Sequence, residues 1–275
     1  MRTLTIGDTG DDVAILQDRL RVLGFSPGTT DSNFGPTTEA AVMGFQRSEG
    51  LLPDAIVGPR TVAALGLPSS PPIPSVIGGV TVSAVSQMFP NTPVRNIEQN
   101  LPTVLEALVA PQLTEKKMVL MALATIRAET ESFLPVSEFQ SRFNTSPNSD
   151  RPFDLYDNRR DLGNQGPPDG ERYRGRGFIQ LTGRSNYQVH GAAIGLGNQL
   201  VDNPGLANVP EVAAKLLASF LKSKESQIKM AILEGNLAQA RKLVNGGTHG
   251  LEAFADAYRT GHRVIPETLG SDAAA

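Results

Sequence analysis

Over the first 67 residues the hydrophobic positions fall at helical spacing. Val13, Leu16, Leu20 and Leu23 share one helix face, which Asp11 or Asp12 can cap and Gly24 can stop. An internal echo follows. Residues 31–42 read D-S-N-F-G-P-T-T-E-A-A-V and residues 54–65 read D-A-I-V-G-P-R-T-V-A-A-L, identical at six of twelve positions with an offset of 23. Each copy places a glycine and then a proline at the first position of a helix, where the missing N–H costs nothing. These patterns predict a small three-helix domain over residues 1–67, with Val42 and Phe45 facing Leu65 and the first helix. Residues 68–83 hold four prolines and two glycines, which predicts a semi-extended tether.

The pattern changes over residues 84–265. Ile97–Val109 reads as a helix. Thr114 can cap the next one, whose segment Met118–Ile126 is apolar all round; a helix of that kind is buried on every side. Residues 139–176 are rich in Asn, Asp, Pro and Gly, a long loop of the sort that often carries function. Further helices are expected near 210–222, 227–233, 236–244 and 250–259, with Pro210 opening one and Gly246-Gly247 closing another. No alternating run is long enough for a substantial sheet, so the fold class is mainly α. Residues 266–275 form a loose tail.

Composition removes several function classes. Cysteine is absent, and His190, His249 and His262 show no metal-ligand spacing, so neither metal nor cofactor is expected. Net charge is −3, from 25 basic and 28 acidic residues, which argues against a nucleic-acid binder relying on bulk positive charge. No apolar run approaches the roughly 20 residues that span a bilayer. The start, MRTLTIGDTGDD, has no apolar signal core, so a chain acting outside the cell would need another protein to take it there. The expected state is a monomer.

Candidate chemistry gathers at the end of the apolar helix. Ala122–Glu138 contains Glu129, Glu131 and Glu138. Poor solvation at the end of an apolar helix disfavours a charged carboxylate, so Glu129 could donate a proton. Glu138, beyond Pro135, is freer to face water and could accept one. Two carboxylates in different environments suit glycoside hydrolysis. Glu131, two residues from Glu129 on a helix, points elsewhere. A structural reading stays open: Glu129 can end a charge network and Glu138 can be merely solvated, because structural carboxylates far outnumber catalytic ones.

Two resemblances add to these readings. The motifs G-x-x-G-x-x-V-x-x-L-Q-x-x-L-x-x-L-G-F, D-x-x-F-G-P-x-T, A-V-x-x-F-Q and D-x-x-V-G-P-x-T resemble the peptidoglycan-binding domain 1 family across residues 5–67. That implies binding of the cell wall without chemistry. Residues 84–265 carry N-I-x-x-N-L-P-x-V-L-x-A-L, A-E-T-E-S-F-x-x-x-x-E, Y-D-N-R-R-D-L-G-N, G-R-G-F-I-Q-L-T-G-R-S-N-Y and V-N-G-G-T-x-G-L, which resemble glycoside hydrolase family 19, a family of chitinases and many phage endolysins. The resemblance implies a lysozyme-like, mainly α catalytic domain and an inverting mechanism, with carboxyls about 6.5–9.5 Å apart. By position, Glu129 matches the general acid, Glu138 the general base and Thr182 the hydroxyl that holds the attacking water. Gln180, Asn186 and Asn245 match polar groups of the sugar cleft, although Gln180 and Asn245 could equally satisfy buried backbone. Arg259 is the expected basic partner of the glutamates. Three positions depart from the family: Ala128 stands where a His is usual, Glu131-Ser132 where Gly-Gly is usual, and the chain has no Trp. Tyr156, Tyr173 or Tyr187 would then have to stack on sugar.

The implied function is a peptidoglycan hydrolase of the endolysin type, made in a host cytoplasm and acting at the bacterial wall, most specifically an N-acetylmuramidase. A chitinase and a non-catalytic wall-binding protein are the alternatives.

Overall fold

The computed structural model describes residues 1, 3–67, 75–247 and 249–267. They form two compact units, divided between residues 73 and 74. In the first, helix α1 spans Asp11–Val22, α2 Pro36–Ser48 and α3 Pro59–Ala64. Gly10, not an aspartate, is the N-cap of α1; Asp11 and Asp12 lie inside its first turn, where carboxylates favour the positive end of the helix. Val13, Leu16, Leu20, Val42, Phe45 and Leu65 fill the core as expected. Leu23 does not: it follows the helix end and is partly exposed.

The sequence echo is also an echo of hydrogen bonds. Gln17 and Gln46 are both 1% exposed. Gln17 Nε2 lies 2.9 Å from Asp31 Oδ1, 3.0 Å from the Asn33 carbonyl and 3.1 Å from Thr38 Oγ1. Gln46 Nε2 reaches Asp54 Oδ1 at 2.9 Å, the Ile56 carbonyl at 2.9 Å and Thr61 Oγ1 at 3.3 Å. Their Oε1 atoms accept from the backbone N–H of Ser32 and Ala55, the two left-handed residues of the turns, with φ of 59° and 60°. One buried amide thus holds each turn closed. Gln46→Ala should destabilise this unit by about 1–3 kcal/mol, because buried backbone donors and acceptors lose their partner. Hydrogen exchange of the amides around Ala55 measures it; unchanged protection would mean the clamp is idle.

In the second unit, α4 spans Val82–Met88, α5 Val94–Val109 and α6 Lys116–Glu129. Residues 68–74 of the expected tether lie outside the described residues. Residues 75–83 do not behave as a tether: Val76 and Val80 are buried in the core of this unit, and Thr81 caps α4 by accepting from the Ala84 N–H. The apolar run there, V-I-G-G-V, outweighs its glycines. Thr114 does not cap α6, whose N-cap is Glu115. From Met118 to Ile126, α6 is fully buried.

Strand β1, Val136–Ser137, follows α6. The expected loop over 139–176 is interrupted by α7, Asp154–Asp157, and α8, Asp169–Arg172. Buried Asp169 anchors it: Arg184 grips both carboxyl oxygens, at 2.8 and 2.6 Å. Burial alone would push the Asp169 carboxyl up, but the hydrogen bonds from Arg184 and the Gln165 N–H, with the charges of Arg184 and Arg172, together hold the group below its usual range. Strand β2, Arg176–Gly177, pairs antiparallel with β1, Val136 opposite Gly177 and Ser137 opposite Arg176. Two-residue strands are too short to show alternation. Then come α9 (Arg184–Ala193), α10 (Gln199–Asp202), α11 (Pro210–Ser223), α12 (Glu225–Leu233), α13 (Leu237–Asn245) and α14 (Leu251–Val264).

Helix α14 lies tightly on α6 and α4. A Cβ at Gly261 would sit 2.4 Å from Leu120 Cδ2 and 2.8 Å from Met88 Cε, so any side chain there would have to displace the ends of these two. Of the expected tail, Ile265 is buried and Glu267 pairs with Lys116 at 2.9 Å; residues 268–275 lie outside the described residues. No described helix is long and apolar enough to cross a membrane.

Candidate active site

Glu129 is the last residue of α6, the helix that the core buries most completely. The chain then turns sharply. Glu131 and Phe133 take left-handed φ values of 44° and 57°. Residues around the start of α5 pin this turn: Thr92 Oγ1 donates to the Glu131 carbonyl and Asn96 Nδ2 to the Ser132 carbonyl. Phe133 is buried edge-on against Phe89 at 4.9 Å. Glu131 turns outward and pairs with Arg127 at 2.9 Å.

The Glu129 side chain is 10% exposed, and its surroundings are not the apolar ones its helix suggests. Arg241 Nη1 approaches Oε1 at 2.8 Å, and the Arg241 side chain is completely buried. The approach is an ion pair rather than a well-aligned hydrogen bond. The guanidinium is held in place by Nε and Nη2, which both donate to the His249 carbonyl, at 3.1 and 3.0 Å. Asn245 Nδ2 donates to the same Oε1 at 3.1 Å. Both partners come from α13, four residues apart and therefore on one face. Among the described residues, no hydrogen bond falls on Oε2. Arg259, the expected basic partner, is exposed on α14, and Arg241 holds the place assigned to it.

Glu138 is held by a different set. The pairing of β1 with β2 delivers it, and its N–H donates to the Gly175 carbonyl at 2.8 Å. Oε1 accepts from Asn144 Nδ2 and Tyr156 OH, both at 2.9 Å, and Oε2 from the Gly175 N–H at 3.1 Å. All these donors are neutral. Burial, then the charge of Glu138, pushes the Tyr156 hydroxyl up to about 12, so it remains a donor throughout the neutral range. Asn144 is 1% exposed and also donates to the Phe139 carbonyl, tying the 139–157 segment to this carboxylate.

Gly175 is where three predicted residues meet. A Cβ there would lie 2.9 Å from Gln180 Oε1 and 3.3 Å from both Glu138 Oε2 and Thr182 Oγ1. The Thr182 hydroxyl donates to the Gln180 carbonyl at 2.8 Å, leaving its oxygen lone pairs to accept. Gln180, at φ 51°, donates through Nε2 to the carbonyls of Val136 and Gly177, so its amide braces the two strands. Gly175→Ala should therefore lower turnover roughly tenfold by displacing these side chains, with a change in thermal midpoint of only a few degrees. Wild-type kinetics in that variant would sink the idea that the gap at Gly175 matters.

Two expectations fail here. Tyr187 and Tyr173 are 0% and 1% exposed and pack against each other with ring centroids 5.4 Å apart at a 60° tilt, so neither can lie against sugar. The Tyr187 hydroxyl donates to the Arg174 carbonyl and accepts from Arg176. Half-buried Asn186 supports the segment through Nδ2, which donates to the Thr182 carbonyl at 2.7 Å. Asn144 was not read from sequence at all, since an asparagine in a polar loop carries no distinguishing signal. Among the described residues no group of acidic and histidine side chains could hold a metal ion.

Comparison with known proteins places similarity on both units. Residues 9–65 match the family model described as "Putative peptidoglycan binding domain". The chain is 51% identical over 61 residues to the N-acetylmuramoyl-L-alanine amidase CwlM of Mycobacterium tuberculosis, covering 22% of this chain and 15% of that protein. It is 29% identical over 105 residues to a glycosyl hydrolase family 19 domain-containing protein of Haemophilus influenzae, covering 38% of this chain and 48% of that one. Among solved structures, chitinase C from Streptomyces griseus is similar at 21% identity with a TM-score of 0.47, over 70% of this chain and 79% of that one. The chain spans less than half the length of these two curated relatives. It joins a segment that matches a putative peptidoglycan binding domain to a region similar to a glycosyl hydrolase family 19 domain-containing protein.

Proposed function

We propose that the chain is a peptidoglycan hydrolase of the endolysin type, whose first unit holds the wall while the second cuts the glycan strand. The observation that carries this reading is the contrast between two carboxylates. Glu129 is gripped on one oxygen by a buried cation and an amide; Glu138 is fixed on both oxygens by neutral donors beside the Thr182 hydroxyl. Glu129 delivers a proton from its free Oε2 to the leaving glycosidic oxygen. Glu138 takes a proton from a water held with Thr182, and that water oxygen bonds to the anomeric carbon as the glycosidic bond breaks. Asn245 and Arg241 orient the acid; Asn144 and Tyr156 orient the base. The similarity to a family 19 relative supports the glycosidase class, and the match of residues 9–65 supports the wall as substrate.

The finer reading is an N-acetylmuramidase acting on the wall. Mass spectrometry of digested peptidoglycan tests it. New reducing-end N-acetylmuramic acid is expected, whereas N-acetylglucosamine ends would reassign the bond that is cut. Cleavage confined to N-acetylglucosamine oligomers would make the protein a chitinase, and cleavage of neither would leave a wall-binding protein without activity.

A further inference from the structure

Beside the Gly175 junction lies a cavity of about 360 Å³ lined by Pro168, Glu171, Arg172, Arg174, Arg176 and Pro204. Three arginines at alternate positions face one small space. Each is fixed by backbone or rings rather than by a counter-ion. Arg172 Nη2 donates to the carbonyls of Val201 and Asp202. Arg174 donates to the Glu171 carbonyl and lies 5.3 Å over the Phe153 ring. Buried Arg176 donates to the carbonyls of Arg172 and Arg174 and to Tyr187. Among the described residues none of the three forms an ion pair with an acidic side chain, although the Glu171 carboxylate also lines the cavity. Burial first, and then the neighbouring Arg176 charge, makes the Arg174 cation harder to hold than an ordinary arginine's. An anion entering the cavity would relieve that repulsion.

The cavity is next to the chemistry. Arg174 and Arg176 flank Gly175, whose N–H holds Glu138. A group that fills it lies beside the segment that holds Glu138, whose charge is felt at Arg174. Arginine's planar fork matches a carboxylate in two parallel bonds. Peptidoglycan strands carry peptide stems with free carboxylates; a polymer of N-acetylglucosamine carries none.

Resting on the hydrolase reading above, we propose that Arg172, Arg174 and Arg176 form a cradle for a stem carboxylate, selecting a stem-bearing wall strand over an uncharged amino-sugar polymer. Arg174, half-buried and with most of its donors uncommitted, is the principal contact.

The test compares native peptidoglycan with peptidoglycan whose carboxylates have been converted to amides by carbodiimide and ammonia. For the full chain, kcat/KM should fall roughly tenfold on amidation, as expected for loss of a charge-assisted pair. Arg174→Gln should show the same fall on native substrate and little further fall on amidated substrate. Arg174→Lys should recover part of the discrimination. Equal wild-type rates on native and amidated strands would overturn the cradle while leaving the hydrolase reading intact. So would an Arg174→Gln variant that still loses tenfold on amidation. No wild-type cleavage of either strand would instead overturn the hydrolase reading itself.

Discussion

Glu129→Gln should lower glycan cleavage by roughly 10²–10⁴-fold, the usual contribution of a positioned acid, while binding to wall fragments survives. Glutamine keeps the shape and can still accept from Asn245 Nδ2, but it has no proton to give at Oε2. Wall binding should persist because the matched segment, residues 9–65, belongs to the other compact unit. The measurement is reducing-end release from purified peptidoglycan, paired with co-sedimentation on the same material. One complication has to be separated out. The substitution also strips the completely buried Arg241 of its counter-charge, so some loss could be misfolding rather than chemistry. Circular dichroism at the assay temperature distinguishes the two. A folded variant that retains a tenth or more of wild-type activity would remove Glu129 from the acid role.

How much of this site could be read beforehand depended on what each residue does. Glu129, Glu138 and Thr182 stood out because motif and spacing constrain them, and the structure brings Glu138 and Thr182 together around Gly175. The helices were legible wherever burial imposed a period: the all-apolar run of α6 predicted its complete burial. Partners that complete a site from distant helices leave weaker traces. Arg241 lies 112 residues after Glu129. Its signal was local: an arginine between buried Ala240 and Val244, one turn before Asn245. A charge on a buried stripe needs a partner, a rule that would have favoured Arg241 over Arg259, the residue expected from the resemblance. The tyrosines misled for the opposite reason. A ring with a hydroxyl can face sugar or fill a core with its polar tip satisfied, and only packing decides; for Tyr187 it decides for the core. The same applies to residues 75–83, where two glycines and the prolines just before them suggested a tether but two valines are buried.

Arg241→Met should cost about 3–5 kcal/mol, the penalty for leaving one member of a buried ion pair alone. In a unit of this size that is a fall in thermal midpoint of roughly 6–20 °C. Two losses combine. Glu129, 10% exposed, loses the cation that faces it, and the His249 carbonyl loses both of its guanidinium donors. Activity should fall with it, because Asn245 alone cannot fix the carboxyl on one oxygen. The double variant Glu129→Gln/Arg241→Met separates stability from catalysis. With neither charge present, a buried pair is replaced by neutral groups, which is often tolerated or even stabilising. The double variant should therefore be more stable than Arg241→Met alone, with a coupling of about 1–3 kcal/mol, yet remain inactive. Additive losses would mean that Arg241 acts through His249 and not through the acid. Recovery of activity along with stability would mean that the pair is a structural brace and that the proton comes from elsewhere. Restored stability without activity is the outcome that assigns the cation to holding the acid and the proton to Glu129.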